Sequence, residues 1–210
     1  MHPQPAFHVT DPEPLGALVA ERGLALIVGT DHGRPRVAHA PVLLAEGRLR
    51  FHLSRANPLV AALAAAQHAL AVVTGPETYV SPDWYGVADQ VPTWNYVSAE
   101  IEGPVRTLDE GEAATLLDDL SAVFEARLAP KPPWTRAKMT PGRFEAMLRG
   151  IVAYEMTVER LEGVRKLSQN KPEAAQARLA EALEARGDET AVALARLMRG
   201  DGGWSGPGAG

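Results

Sequence analysis

The stretch from Leu24 to Ser54 decides the fold, and it reads LALIVGTDHGRPRVAHAPVLLAEGRLRFHLS. Three short segments with the pattern of strands follow one another here, over residues 24–28, 37–44 and 48–53. The segments between them, Asp31–Pro35 and Glu46–Gly47, contain the glycine, proline and aspartate that favour turns. Because the connections are so short, neighbouring strands must run in opposite directions. The stretch therefore predicts an antiparallel meander of three strands.

Outward from this meander, the pattern adds further strands and helices. Thr10-Asp11-Pro12 opens a helix that ends at Gly23, and Asn57-Pro58 opens another. Further strands are expected at residues 69–74, 79–80, 93–102 and 151–161, with a turn at 103–104, and helices at 109–128 and 144–148. The last strand is expected to bury one face only. Short strands with helices inserted between them predict a mainly β fold, an antiparallel barrel with helical insertions, rather than a parallel doubly wound sheet.

The chain is expected to divide into three parts. Residues 1–171 form the barrel domain, residues 172–200 form a C-terminal helical hairpin, and residues 201–210 form a disordered, glycine-rich tail. The hairpin is predicted from two helical segments that join at Gly187.

Composition limits the classes of function. The 210 residues contain no cysteine, so disulfides, thiolate metal sites and a catalytic cysteine are excluded, and a reducing cytoplasm is the expected location. No apolar run approaches the roughly 20 residues needed to cross a bilayer, and the first residues lack the pattern of a signal peptide. The formal net charge of −5 disfavours contact with nucleic-acid phosphates.

A candidate phosphate site lies at the end of the third strand. Strict alternation places Arg50, His52 and Ser54 on one strand face. The strand leads into Arg55 and the helix start Asn57-Pro58, where free amides and the positive end of the helix dipole favour an anion. The alternative is an exposed strand face that ends in a well-capped helix.

The preceding strand carries His39 and Pro41 on one face. A proline inside a strand removes a backbone hydrogen-bond donor from the sheet and indicates an edge strand or a bulge. In this strand the pattern suggests that the edge or bulge lies next to a ligand. The alternative is a plain edge strand with a structural histidine.

Aromatic residues concentrate in Tyr79–Tyr85 and Val91–Tyr96. Polar-tipped aromatics beside prolines suit a planar ligand, a subunit interface or, less readily, a core. Alternation predicts that Trp94 faces an interface while Asn95 points inward and bonds either a ligand or neighbouring backbone. The polar run Lys166–Lys171 supplies Lys166, Ser168 and Gln169 as further donors, or is simply a surface linker.

Together these segments resemble a known family. The runs YVSPDWY (79–85), VPTWNY (91–96), GIV (150–152) and KLSQN (166–170) are similar, in order and spacing, to signature segments of the PaiB-type FMN-binding negative transcriptional regulators. The resemblance extends from about Pro5 to Leu183.

The resemblance implies an FMN-binding split barrel related to the pyridoxamine phosphate oxidases, and a homodimer with FMN between subunits. It implies that the cofactor is bound by the candidate residues named above: His39, Pro41, His52, Ser54, Arg55, Asn57, Trp94, Asn95, Lys166, Ser168 and Gln169. The chain departs from the family at His52–Arg55, where a small residue commonly follows the histidine. The phosphate ligand among Ser54, Arg55 and Asn57 therefore stays open.

Three functions are compatible with these residues. The first is a flavin-dependent regulator and sensor, although direct DNA binding is disfavoured because the hairpin carries four arginines against five acidic residues. The second is an FMN-dependent oxidoreductase with an unidentified small substrate. The third is a relative that binds haem or another planar ligand, for which His39 and His52 would be the ligands to test.

Overall fold

The computed structural model describes residues 2–201 and consists of two compact units. Of the described residues, unit 1 comprises 2–22, Val73–Glu100 and 161–201, and unit 2 comprises Gly23–Val72 and Ile101–Arg160. The strands are β1 (His8–Val9), β2 (Leu24–Asp31), β3 (Arg34–Ala45), β4 (Arg48–Ser54), β5 (His68–Val80), β6 (Thr93–Thr107), β7 (Ile151–Thr157) and β8 (Arg160–Lys166). The helices are α1 (Pro12–Arg22), α2 (Pro58–Ala66), α3 (Glu110–Ala126), α4 (Arg143–Leu148), α5 (Glu173–Arg186) and α6 (Glu189–Arg199).

The predicted fold class is confirmed. The strands of the described residues follow the order β1-β8-β6-β5-β2-β3-β4-β7, and β7 also pairs with β6, which closes a ring of six strands. The meander β2-β3-β4 forms as the sequence predicts, and its turns place His32-Gly33 and Glu46-Gly47 at positive φ. Such turns match the twist of the two flanking strands.

Helix α2 begins where the sequence predicts. The Asn57 side chain accepts a hydrogen bond from the Leu59 amide, and Pro58 occupies the first turn. The apolar side of α2 packs on the inner face of β2, where Gly29 leaves room: a Cβ there would lie 2.9 Å from a methyl group of Leu59. The core of unit 2 therefore lies between α2 and the inner strand faces.

Two strand predictions were wrong at their ends. The turn expected at Gly103-Pro104 does not occur, because β6 continues through both residues to Thr107. Gly103 permits this continuation, since its backbone lies against Thr157, whose carbonyl oxygen would be 1.9 Å from any Cβ.

The single strand expected at residues 151–161 is two strands, β7 and β8, with β8 continuing to Lys166. Residues Ala153 to Met156 are buried on both strand faces, so the expectation of one buried face was also wrong. Helix α3 covers the second face of β7, which the alternating pattern could not reveal. The short strand β1, paired with β8, was missed.

The C-terminal helical hairpin is confirmed as α5 and α6, which pack together through Leu179, Leu183 and Leu194 among other buried residues. Gly187 between the helices has a positive φ of 76°. From residue 202 onward, the predicted tail lies outside the described residues. None of the helices among residues 2–201 has the length and apolar character of a transmembrane segment.

Candidate functional site

A large cavity lies in unit 2, between the outer face of β3, β4 and β7 and the helices α3 and α4. Its volume is about 490 Å³, within the range of about 300–1,000 Å³ that is typical of small-molecule sites. The wall is formed by Pro41, His52, Leu117, Asp118, Leu120, Ser121, Phe124, Glu125, Trp134, Met139, Phe144, Met147, Leu148 and Ile151. Two of the residues singled out in the sequence, Pro41 and His52, are therefore brought together in this cavity.

His52 is the polar group of the strand wall. It is half-buried, and its Nδ1 is fully buried with no hydrogen-bond partner in the described part of the chain. Burial lowers the pKa of the His52 imidazole below its ordinary value of 6.5, so the ring is neutral at pH 7. A neutral ring with a free nitrogen can donate to or accept from a polar edge of a ligand.

The rest of the wall is mostly apolar and aromatic. Phe124, Trp134 and Phe144 offer flat faces, and the methionines Met139 and Met147 supply adaptable side chains. These aromatic and apolar side chains suit a planar, largely apolar ligand.

The two carboxylates in the wall are paired. Asp118 contacts Arg136 at 3.2 Å, and Glu125 bonds Lys131 and the backbone amide of Trp134. Their charges are therefore partly neutralised, which lowers the cost of placing an electron-rich ligand beside them.

Sequence analysis missed the wall supplied by α3, α4 and the segment between them. The helical spacing of Leu117, Leu120 and Phe124 reads equally well as a core stripe. The signal that distinguishes them is weak: three large residues, Trp134, Met139 and Phe144, follow a proline-rich linker within about ten positions.

The three residues predicted to hold a phosphate make different contacts. Arg55 donates from Nε to the Arg149 carbonyl at 2.9 Å and from Nη2 to the Ile151 carbonyl at 2.8 Å. Ser54 is exposed, while the Asn57 carboxamide is used to cap α2. Of the three candidates, Arg55 is thus the one that carries a positive charge and holds a fixed geometry.

A smaller hollow adjoins this arginine. It measures about 150 Å³ and is lined by Arg55 and Arg149 as well as by Asp109 and Glu110. Leu148 and Ile151 line both this hollow and the large cavity. The two spaces therefore share a wall near the end of β4.

His39 lies on the outer face of β3, opposite Leu26, and is exposed. It lies on the same strand face as Pro41 but does not line the large cavity, whereas Pro41 and His52 do. Its neighbours on the same strand face, Val37 and Pro41, are apolar.

The other five predicted residues lie in unit 1. Asn95 and Ser168 are buried, and the Ser168 hydroxyl donates to Asn95 Oδ1 at 3.1 Å. Tyr85 OH lies 2.8 Å from the Ser168 oxygen and therefore donates to it, because the single Ser168 proton is already used. Asn95 Nδ2 faces the Met198 sulfur at 4.0 Å. Of the two alternatives left open for Asn95, these contacts favour the structural bond.

The remaining three make different contacts. Trp94 is 52% exposed and meets Tyr79 edge to face, with ring centroids 6.3 Å apart. Lys166 bonds Thr93 and the Trp94 carbonyl, and Gln169 bonds backbone groups, among them the Ala6 carbonyl and the Leu167 amide. Six of the predicted residues thus belong to unit 2 and five to unit 1.

Comparison with known proteins gives a consistent result. Residues 1–160 match the family model described as "Putative FMN-binding domain". The chain is 29% identical over 196 residues to the protein named "Protease synthase and sporulation protein PAI 2" of Bacillus subtilis, covering 91% of this chain and 93% of that protein. It is 27% identical over 185 residues to an uncharacterized protein of Emericella nidulans, covering 74% of each.

Solved structures share the fold. The flavocytochrome Anf3 of Azotobacter vinelandii aligns with a TM-score of 0.62 at 16% identity, over 79% of this chain and 72% of that one. A FAD- and haem-binding protein of Mycobacterium smegmatis aligns with a TM-score of 0.58 at 19% identity, over 86% of this chain and 80% of that one. At these identities the likeness concerns the fold alone.

Proposed function

The chain belongs to the FMN-binding domain family that its residues 1–160 match, and from this premise we propose that it is a flavin-dependent regulator of the PaiB type. FMN is its cofactor. The observation that carries the proposal is the apolar cavity of unit 2 with the unpartnered Nδ1 of His52 in its wall.

The volume and the lining of the cavity support a flavin ring as its ligand. The aromatic side chains Phe124, Trp134 and Phe144 suit the flat faces of a tricyclic ring, and His52 suits its polar edge. Bound there, a flavin supplies the ability to exchange one or two electrons, while the protein supplies binding, orientation and exclusion of water.

Arg55 is the proposed partner of the flavin phosphate. Its guanidinium is fixed by two backbone carbonyls beside the wall that the cavity and the smaller hollow share. Donor positions on Nη1 and Nη2 remain for a phosphate oxygen.

Replacing Arg55 with alanine is expected to weaken the binding of FMN by at least about tenfold and the binding of riboflavin by much less, because only FMN has a phosphate. A charge-assisted hydrogen bond contributes about 1.5–3 kcal/mol, which corresponds to this factor or more. Fluorescence titration of the apoprotein with each flavin measures the difference. Arg34→Ala, an exposed arginine at the β2–β3 turn, is the matched control. If Arg55→Ala weakens the binding of both flavins equally, the flavin phosphate does not bind at Arg55.

The C-terminal hairpin supports indirect rather than direct regulation. Arg178 donates to the Tyr85 carbonyl, Arg186 bonds Thr78 and Asp188, and Arg199 pairs with Glu184. Three of the four hairpin arginines are thus engaged within unit 1, whereas a recognition helix presents its cations to phosphates. The name of the Bacillus subtilis relative, a protease synthase and sporulation protein, favours a regulatory role, which we propose is exerted in the cytoplasm through the flavin state.

A homodimer is part of the proposal, and the outer face of unit 2 supports it. Leu24, Leu26 and Val28 of β2 lie opposite Pro41, His39 and Val37 of β3, and Leu70 and Val72 of β5 continue the same face. Leu24 is 51% exposed and Val37 52%. This apolar surface adjoins the cavity through Pro41, so a second copy covering it would also border the flavin.

An FMN-dependent oxidoreductase is the second candidate, because a neutral His52 with a free nitrogen could hold a proton beside a flavin. The colour and the reactivity of the purified protein distinguish the regulator from the oxidoreductase. We expect yellow protein that releases FMN on denaturation and is not turned over by NADH or NADPH. Rapid, repeated reduction by either nicotinamide would favour the enzyme, whereas a haem spectrum or colourless protein that takes up no FMN would overturn both candidates.

A further inference from the structure

The family-signature segments of unit 1 surround a small hollow that the flavin proposal does not use. Its volume is about 140 Å³. Its wall is formed by His2, Gln4, Phe7, Tyr85, Val91, Thr93, Lys166, Ser168, Asn170 and Lys171. This space is too small for a flavin ring and suits an ion or the end of a small molecule.

The described wall of this hollow is positively charged. Lys166 and Lys171 both line it, and no carboxylate is among the described residues of its wall. Their acceptors are neutral: Lys166 Nζ lies 2.5 Å from Thr93 Oγ1 and 2.7 Å from the Trp94 carbonyl, and Lys171 Nζ lies 2.6 Å from Gln90 Oε1. Burial and the charge of Lys171 lower the pKa of Lys166. An anion between the two ammonium groups would relieve this repulsion.

Several donors remain for such an anion. Each ammonium group has three N–H donors, so one remains on Lys166 and two on Lys171. His2 Nδ1 accepts from the Gln4 amide, which leaves the proton of the neutral ring on Nε2. Asn170 adds a carboxamide to the wall.

The opposite side of the hollow is rigid. The hydroxyls of Tyr85 and Ser168 are committed to the buried chain that ends at Asn95. Ser168 has a positive φ of 62°, which is uncommon for a non-glycine residue. Such backbone is common where a protein holds a ligand.

We propose that this hollow binds a phosphoryl group, either inorganic phosphate or the phosphate end of a small metabolite, as a ligand separate from FMN. Two lysines match the double charge of phosphate better than the single charge of a carboxylate, and lysine binds phosphate as a point charge. The chain as a whole has a formal net charge of −5. The cationic pocket is therefore a local and selective feature and does not belong to an extended basic surface. The site would give a regulator an input besides the flavin.

The test is a titration of the FMN-loaded protein with inorganic phosphate, with sodium chloride adjusted to hold ionic strength constant. Phosphorus NMR line widths report binding, and thermal unfolding reports stabilisation. We expect saturable binding to the wild type and at least about tenfold weaker binding to Lys171→Gln and to Lys166→Gln. Lys138→Gln, which removes the same charge from a lysine of unit 2 that donates to the Pro133 carbonyl, should bind as the wild type does.

Lys171→Gln is the decisive variant, because Lys166→Gln also removes the hydrogen bonds from Lys166 to Thr93 and to the Trp94 carbonyl, and so perturbs the fold as well as the hollow. Absence of saturable binding to the wild type, or equal losses in Lys171→Gln and Lys138→Gln, overturns the proposal. A third arm adds FMN or riboflavin to apoprotein that holds phosphate. Displacement by FMN but not by riboflavin would assign the hollow to the flavin phosphate and would overturn a separate ligand, whereas retention of phosphate with both flavins supports one.

Discussion

Replacing Ser121 with tryptophan is expected to abolish FMN uptake, with affinity reduced by about 100-fold or more. Ser121 lies on α3, and its side chain lines the large cavity. An indole at this position would occupy the space proposed for the flavin ring, and a well-packed wall has little freedom to move aside. A 100-fold loss corresponds to about 2.7 kcal/mol of binding free energy.

The fold should tolerate this change. Ser121 is half-buried, and its hydroxyl donates to the Leu117 carbonyl of the same helix. Ala122→Trp is the matched control, because Ala122 is the next residue of α3, is exposed and does not line the cavity. Flavin content after purification and titration of the apoprotein measure the effect. If Ser121→Trp binds FMN as tightly as Ala122→Trp does, the ring lies elsewhere.

Replacing Val37 with glutamate is expected to convert a dimer into a monomer, with self-association weakened by about 100-fold or more. Val37 is 52% exposed in the single chain and lies within the apolar outer face of β2, β3 and β5. In a two-fold dimer the substitution buries two carboxylates without partners, which is costly. Sedimentation velocity over a range of protein concentrations measures the change.

Val123→Glu is the control for this substitution. Val123 is also exposed, at 41%, but lies on α3 and outside that face. A Val37→Glu protein that stays dimeric would exclude this face as the interface. A Val37→Glu monomer that binds FMN with unchanged affinity would keep the interface but contradict a flavin site shared between subunits.

The pattern of neighbouring residues predicted the strands and helices that bury only one face. The meander from Leu24 to Ser54 has alternating side chains and short turns, so its strands and turns follow from neighbouring residues alone. The start of α2 could be predicted equally well, because the Asn57 cap and Pro58 act on backbone groups one or two residues away.

The errors occurred where distant chain segments decide the outcome. Gly103-Pro104 has the composition of a turn, yet β6 passes through it because Thr157 lies against Gly103. The burial of both faces of β7 depends on α3, which is more than twenty residues away in the sequence. No window of neighbouring residues contains this information.

The sequence by itself determined the family and the cofactor, and it singled out Pro41 and His52, which both line the large cavity. Only the tertiary structure decided which candidates meet. It brought α3 and α4 over His52, and it placed the group around Asn95, Ser168 and Lys166 in unit 1. The physical reason is that strand alternation fixes the direction of a side chain, whereas the opposite wall of a cavity depends on packing between segments far apart in the chain.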